Sequence, residues 1–469
     1  MVFSTALRPF LQRRPEAFDV LEIEPQTMWL ADDPFAGPFF EFTPGIEAFA
    51  ALPGHKLVHS VAVPLGGTRP PDPEQLGMLA KTVARLQSPW VSEHLSVAGT
   101  PHHAAGFLLP PIQTEEGVEI ATRNIRAFAD AMGRPIAIET GVAYFRRKHF
   151  EMPDGEFVAR VAESADCGIL LDLHNLYCNE RNGRILLDDF LARIPADRVW
   201  EIHLAGGVEV DGFWLDSHSG AMPEALARKA IEVVRGLPNL GAINFEIYDT
   251  FLERLDQGTF DMIVDQLRGI WEEAGRATEA VVPPCIATTP ICECPDFRPK
   301  DWEAGLTEAV WKADPSRHPC AEDERPLRLY AWLARSFRGS MLARALPRMM
   351  RYLLLRDGDS VELRLQRYYA DESPKLYTPL EAEAFRLWLL REGENDPLAI
   401  ALLDYDMAFM KIVREGRPQI VTFPGNPGPV FEALAAAELP ALPEPPEWEI
   451  EIVPDSFTIE DFATNATGS

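Results

Sequence analysis

Ten residues of metal-ligating or proton-handling type recur between positions 59 and 246 of the chain: His59, His94, Glu139, Asp172, His174, Asn175, His203, Asp216, His218 and Glu246. Most stand at the end of a short apolar run. Singly, each has an ordinary explanation, since a histidine on a strand is usually hydrogen-bonded core and a carboxylate at a strand end usually caps a helix. As a set they differ, because buried charges are costly unless paired or metal-bound. Groups of this kind pointed at one rim by successive strands would repel or stay unsatisfied without a cation. No cysteine belongs to the set, which excludes thiolate and iron–sulfur ligation. Imidazole with carboxylate suits Fe, Mn, Zn or Co. The nine candidates other than His174 exceed the ligand needs of one ion of about four to six coordination. Two or three ions are implied, and Glu139 could bridge two of them.

These groups need a scaffold that brings strand ends together. Short apolar runs alternate with amphipathic segments up to about residue 275. The runs are Phe3–Arg8, Phe18–Glu24, Lys56–Pro64, Trp90–Val97, Pro135–Thr140, Gly168–His174, Val199–Ala205 and Ala242–Ile247. Helical segments between them include Pro73–Leu86, Glu119–Met132 and Glu224–Leu237. Asp72 is placed to cap the first of these, and Gly133-Arg-Pro stops the second. Runs apolar on both faces, such as Cys167-Gly-Ile-Leu-Leu-Asp-Leu, are those of parallel strands covered by helices. The expected fold is α/β, a (β/α)8 TIM barrel, whose C-terminal strand ends build the active site. A doubly wound sheet is the alternative, and the chain lacks the G-x-G-x-x-G and Walker A sequences of its nucleotide-binding forms.

The barrel is expected over residues 1–278, followed by a Pro- and Cys-containing linker over 279–320. A smaller, mostly helical domain is expected over 321–455, with a polar tail at 456–469. Helical spacing runs from Leu327 to about Arg391 and again over Pro397–Val413, with a short strand at Glu449–Val453. Cys167 and Cys178 read as core residues, whereas Cys285, Cys292, Cys294 and Cys320 do not follow a usual zinc spacing.

The formal charge is −28, from 44 Lys and Arg against 72 Asp and Glu. A surface this acidic, with a pI near 4.8, repels nucleic acid and anionic lipid. Mean hydropathy is −0.10, with no apolar run approaching the ~18 residues of a membrane span. The first residues lack a basic region before an apolar core, so no secretory signal is read and cytoplasmic residence is expected.

The motifs His59-Ser-Val, Val91-Ser-Glu-His-Leu, Asp172-x-x-Asn175, Glu201-Ile-His-Leu-Ala-Gly and Asp216-x-His218 resemble those of the multinuclear non-haem iron-dependent oxidative enzymes. This family includes methanobactin-biosynthesis enzymes with a sugar-isomerase-like barrel. The resemblance runs to about residue 275 and takes in Leu7-Arg8, Leu21-Glu22, Leu108-Leu-Pro-Pro and Asn182-Gly183. It implies O2-dependent oxidation of a Cys or C-terminal Asp-type residue in a ribosomally synthesised precursor peptide. The centre would hold two or three irons, as Fe(II)/Fe(III). Carried across, His59, His94 and Glu139 hold one iron. Glu139, Asp172, His203 and Glu246 hold a second, and Asn175, Asp216 and His218 a third. The sequence departs from the family at Thr140, at Ile247-Tyr248 and at His174. His174 adds an imidazole that could serve as an extra ligand or in proton transfer. The helical domain more weakly resembles the partner proteins that present the peptide, here fused to the enzyme, through Tyr330, Arg348, Leu365–Tyr369, Phe385–Leu389 and Asp404-Tyr405. The rival readings are a Zn- or Mn-dependent sugar isomerase or hydrolase on the same barrel, and a non-enzymatic scaffold.

Overall fold

The computed structural model describes residues 1–31, 37–274, 298–317 and 323–453. Cys285, Cys292, Cys294, Cys320 and the 456–469 tail lie outside the described residues. The chain forms two compact units. One comprises Met1–Thr27, Phe49–Thr100 and Leu108–Leu306, and the other Met28–Ala48, Pro101–Phe107 and Thr307–Ser469.

The first unit is built on seven parallel strands, β1 (Val20–Ile23), β2 (His55–Ser60), β3 (Val91–His94), β4 (Ile136–Glu139), β5 (Gly168–Asp172), β6 (Val199–Ala205) and β7 (Ala242–Glu246), each hydrogen-bonded to the next. Met1–Phe3 bridges the two edges. Val2 pairs with Glu22, the Phe3 N–H donates to the Glu22 carbonyl (2.7 Å), and the Val2 N–H donates to the Phe245 carbonyl (3.1 Å). The fold is the expected α/β barrel. The strand read over Phe3–Arg8 is corrected, because Thr5–Leu7 is a 3-10 turn and Arg8–Arg13 an α-helix. Pro9 lies in that helix's first turn, where its missing N–H costs nothing, whereas it would break a ladder.

Every residue of β4 and β5 is buried, as strands covered on both faces require. The helix Pro73–Leu86 is capped by Asp72, which accepts from the N–H groups of Glu74 and Gln75 at 3.0 and 2.9 Å. Glu115–Met132 ends at Gly133 in the left-handed conformation. A side chain on Gly168 would meet the Trp200 ring at 2.3 Å, so glycine there lets neighbouring strands pair beneath the indole.

Part of the expected linker is also structured. Pro299–Lys312 is a helix, and Trp302, Leu306, Ala309 and Val310 are buried at helical spacing. Proline and cysteine on its N-terminal side obscured that period.

The second unit contains the helices Arg325–Ala345, Pro347–Asp357, Ser360–Asp371, Thr378–Arg391, Pro397–Glu415 and Gly428–Ala435, with an antiparallel ribbon of Gln419–Phe423 and Trp448–Ile452. Proline stands in the first turn of five of these helices. The hairpin Trp29–Ala31 with Phe39–Glu41 joins this unit through ring contacts of Phe39 with Tyr377 and Phe42 with Phe409. At its centre the buried Arg338 donates to Glu381 at 2.7 Å, which also accepts from the Tyr368 hydroxyl at 2.9 Å. Among the described residues, no helix is long and apolar enough to cross a membrane.

One buried acid on the Pro299–Lys312 helix gives the first unit a pH dependence. Glu303 accepts from the Thr68 backbone N–H (2.8 Å) and hydroxyl, yet burial pushes its pKa up to about 7 from 4.5. Between those values the folded chain holds a proton that the unfolded chain has released. The contribution is therefore full below pH 4.5, falls as pH rises to 7 and is level above. Its size is at most ~3 kcal/mol. Replacing Glu303 with Gln should flatten that decline, measured as the wild-type-minus-variant difference in denaturant unfolding at pH 5 and pH 8. A difference independent of pH would contradict this.

Candidate metal centre

The parallel register sets the functional side chains at one end of the barrel. His94 pairs with Glu139, Asp172 with His203, and Ala205 with Glu246. His59 lies one residue before the end of β2, opposite Ser92, whose hydroxyl is 2.9 Å from His59 Nδ1.

Two groups form around one carboxylate. Glu139 Oε2 is 3.2 Å from His59 Nε2 and 3.4 Å from His94 Nε2. Glu139, Asp172 and His203 form a second set, with ligand atoms within 4.8 Å of one another. Glu246 stands between two imidazoles, 3.0 Å from His203 Nδ1 and 3.1 Å from His218 Nε2. Asp216 Oδ1 is 3.0 Å from His218 Nε2. The Asn175 amide nitrogen reaches Glu139 Oε1 at 3.1 Å.

The strand read over Gly168–His174 ends at Asp172. That carboxylate accepts from the Asn175 N–H at 2.8 Å and caps the helix Leu173–Arg181, so His174 belongs to a helical first turn and not to the strand face. Its Nδ1 lies 2.8 Å from Asp216.

These contacts are close, but they are not a completed hydrogen-bond network. Glu139 Oε2, Asp172 Oδ2, Asn175 Oδ1, His218 Nε2 and both His203 nitrogens are buried without a hydrogen bond. Orphaned buried acceptors are rare and costly. Lone pairs that converge at these distances without an aligned proton suit a shared cation, so the donor set fits metal ions.

Electrostatics point the same way. Burial pushes Glu139 well above the ordinary carboxylate range, partly offset by His94 and His203. Burial and neighbouring Asp216 also raise Asp172 above its ordinary value. Burial opposes charge on His94, but Glu139 and Glu93 outweigh it and hold the imidazole at about 10. Burial also opposes charge on Glu246, yet His203 and His218 hold it well below its usual value. Without a cation, the site balances its acids with imidazolium.

A layer of residues beneath this rim was not singled out from sequence. Glu22, Glu201 and Asn244 are buried; Asn244 donates to Glu201 at 2.6 Å and to Glu22 at 3.3 Å, and Trp90 donates to Glu201 at 2.8 Å. Glu22 Oε2 lies 2.9 Å from His203 Nε2. The available signal was alternation, since Glu201 and Asn244 each stand two positions before a rim residue and share its face.

The loop bearing Asp216 and His218 is held by backbone contact. The Ser219 N–H donates to the Gly206 carbonyl at 2.9 Å, and a side chain on Gly206 would fall 2.1 Å from the Ser219 carbonyl oxygen. This gives the Gly206 of Glu201-Ile-His-Leu-Ala-Gly a physical role.

A parallel α/β barrel with a rim of imidazoles and carboxylates defines a metalloenzyme-like class. Within it, residues 47–245 match the model of the RiPP precursor modification enzyme family MbnB/TglH/ChrH. A UPF0276 protein of Anaeromyxobacter is 35% identical over 179 residues, covering 38% of this chain and 63% of the relative. A UPF0276 protein of Chromobacterium violaceum is 36% identical over 178 residues, covering 38% and 64%. The chain thus spans somewhat under two thirds of these relatives. Solved structures similar to it include IOLI with a binding zinc atom (12% identity, TM-score 0.38, covering 58% of this chain and 97% of that one). Another is an L-ribulose 3-epimerase (13%, TM-score 0.39, covering 59% and 94%).

Replacing Gly206 with Ala should push the Asp216–Ser219 loop off the end of β6, costing about 1–3 kcal/mol of stability. Metal binding at Asp216 and His218 should weaken while the His59–His94–Glu139 group persists, as read by thermal unfolding and metal titration. Unchanged stability with unchanged metal uptake would contradict this role.

Proposed function

We propose that the chain is an O2-dependent oxidative enzyme of a ribosomally made precursor peptide, working with a di- or tri-iron centre. The observation that carries this reading is the pair of ligand groups sharing Glu139, with buried lone pairs that no proton satisfies. The family match of residues 47–245 supports a peptide substrate.

His59, His94 and Glu139 would hold one ion. Glu139, Asp172, His203 and Glu246 would hold a second, and Asp216 and His218, with the free Asn175 oxygen, a third. Bound iron would supply the redox chemistry with O2 that no side chain here can perform. The protein's part is placement. Strand register fixes the ligands without reorganisation, and Ser92 orients His59 through Nδ1, leaving Nε2 toward Glu139. Burial keeps bulk water from the reacting groups. The second unit would present the peptide, as the partner proteins of this family do, and the enzyme would act in the cytoplasm.

A zinc or manganese isomerase or hydrolase could use the same donor types, and metal analysis of anaerobically purified protein separates the readings. The wild type should carry about two to three irons per chain and consume O2 with substrate peptide. Replacing Glu139 with Gln should leave about one or none, because both groups lose the shared ligand. Zinc alone, with no iron uptake and no O2 consumption, would overturn the proposal.

A further inference from the structure

His174 is the departure from the family pattern whose surroundings are most fully built. Its Nδ1 lies 2.8 Å from Asp216 Oδ1, and the Trp214 indole N–H donates to its Nε2 at 3.4 Å. An indole nitrogen only donates. Nε2 must therefore accept, and the ring proton sits on Nδ1, directed at Asp216. The Cys178 sulfur is 3.9 Å from both ring nitrogens, a position to which neither in-plane lone pair points.

Trp214 is itself clamped. Asn182 accepts from the Trp214 backbone N–H at 2.8 Å and donates to its backbone carbonyl at 2.9 Å, and the Arg181 guanidinium lies over the indole at 5.1 Å. A side chain on Gly207 would fall 2.5 Å from the indole nitrogen and 2.7 Å from His174 Nε2. Glycine is thus required for that hydrogen bond. One helix carries His174 in its first turn and Arg181–Asn182 at its end, so it grips the Phe213–Leu215 strand next to Asp216.

We propose that His174 is a positioning residue: Trp214 fixes its tautomer, and its Nδ1–H orients Asp216 for an ion shared with His218. It is not itself a ligand. The metal part of this proposal rests on the function proposed above, whereas the tautomer does not.

Nitrogen-15 spectra of histidine-labelled, metal-free protein test the first part. His174 should show its ring proton on Nδ1, with Nε2 as acceptor, and Trp214→Phe should release that preference. The Nε2-protonated form in the wild type would overturn the proposal. Anaerobic titration with Fe(II) alone tests the second part. His174→Phe should weaken the ion at Asp216 about 10- to 100-fold and leave the Glu139-bridged ions, which also report an intact barrel. His174→Asn places an amide N–H near the Nδ1 position and should restore binding, whereas His174→Gln, reaching the Nε2 position, should not. Equal binding in all variants, or equal loss in Asn and Phe, would overturn the positioning role. If the wild type takes up no ion, the proposed function fails and the tautomer spectrum decides this inference by itself.

Discussion

The burial of acids and imidazoles in one barrel mouth is the constraint on which the rest of the structure depends. Glu139, Asp172, His203 and Glu246 are each at most 5% exposed, and Glu139, His203 and Glu246 lie within ion-pair distance of neighbouring imidazoles or buried acids, His203 of Glu22 as well as Glu246. In a low-dielectric interior such a cluster either takes up protons or takes up cations. The first alternative leaves buried oxygens and nitrogens without partners, while the second satisfies them together. Metal binding would then release protons and tie the stability of the rim to occupancy.

The scaffold distributes this cost. Strand pairing brings one polar ligand from each of β2 to β7 to the rim, so no single element carries the whole charge. Beneath it, Glu22, Glu201, Asn244 and Trp90 form a hydrogen-bonded floor that meets His203 through Nε2. At the edge, glycines at 206 and 207 allow a loop and an indole to approach more closely than any side chain would permit. Ligands from β2 to β7 sit on rigid strands, whereas Asp216 and His218 depend on the loop and its contacts.

Much of the barrel was legible because parallel strands covered on both faces leave a plain pattern of apolar runs, and the rim residues stood at their ends. Phe3–Arg8 misled because an apolar run beside Pro9 fits a helix start as well as a strand. His174 misled because Asp172 ends its strand by capping a helix, which turns the next residues off the strand face. Glu22 and Asn244 were visible as polar residues within apolar runs, but their joint role depends on pairing between β1, β6 and β7. The role of Trp214 was not legible at all, since it arises from the Phe213–Leu215 strand meeting the helix Leu173–Arg181. In the second unit, helix starts were marked by proline, but the joining of Met28–Ala48 to it arises from distant aromatic contacts.

In the proposed centre one shared carboxylate, Glu139, would couple at least two irons. Mössbauer spectroscopy of protein reconstituted anaerobically with iron-57 and partly oxidised tests it most directly. A bridged centre predicts magnetically coupled iron sites in more than one environment, with N/O rather than sulfur ligation. A single uncoupled iron environment, or no specific iron signal, would contradict the account.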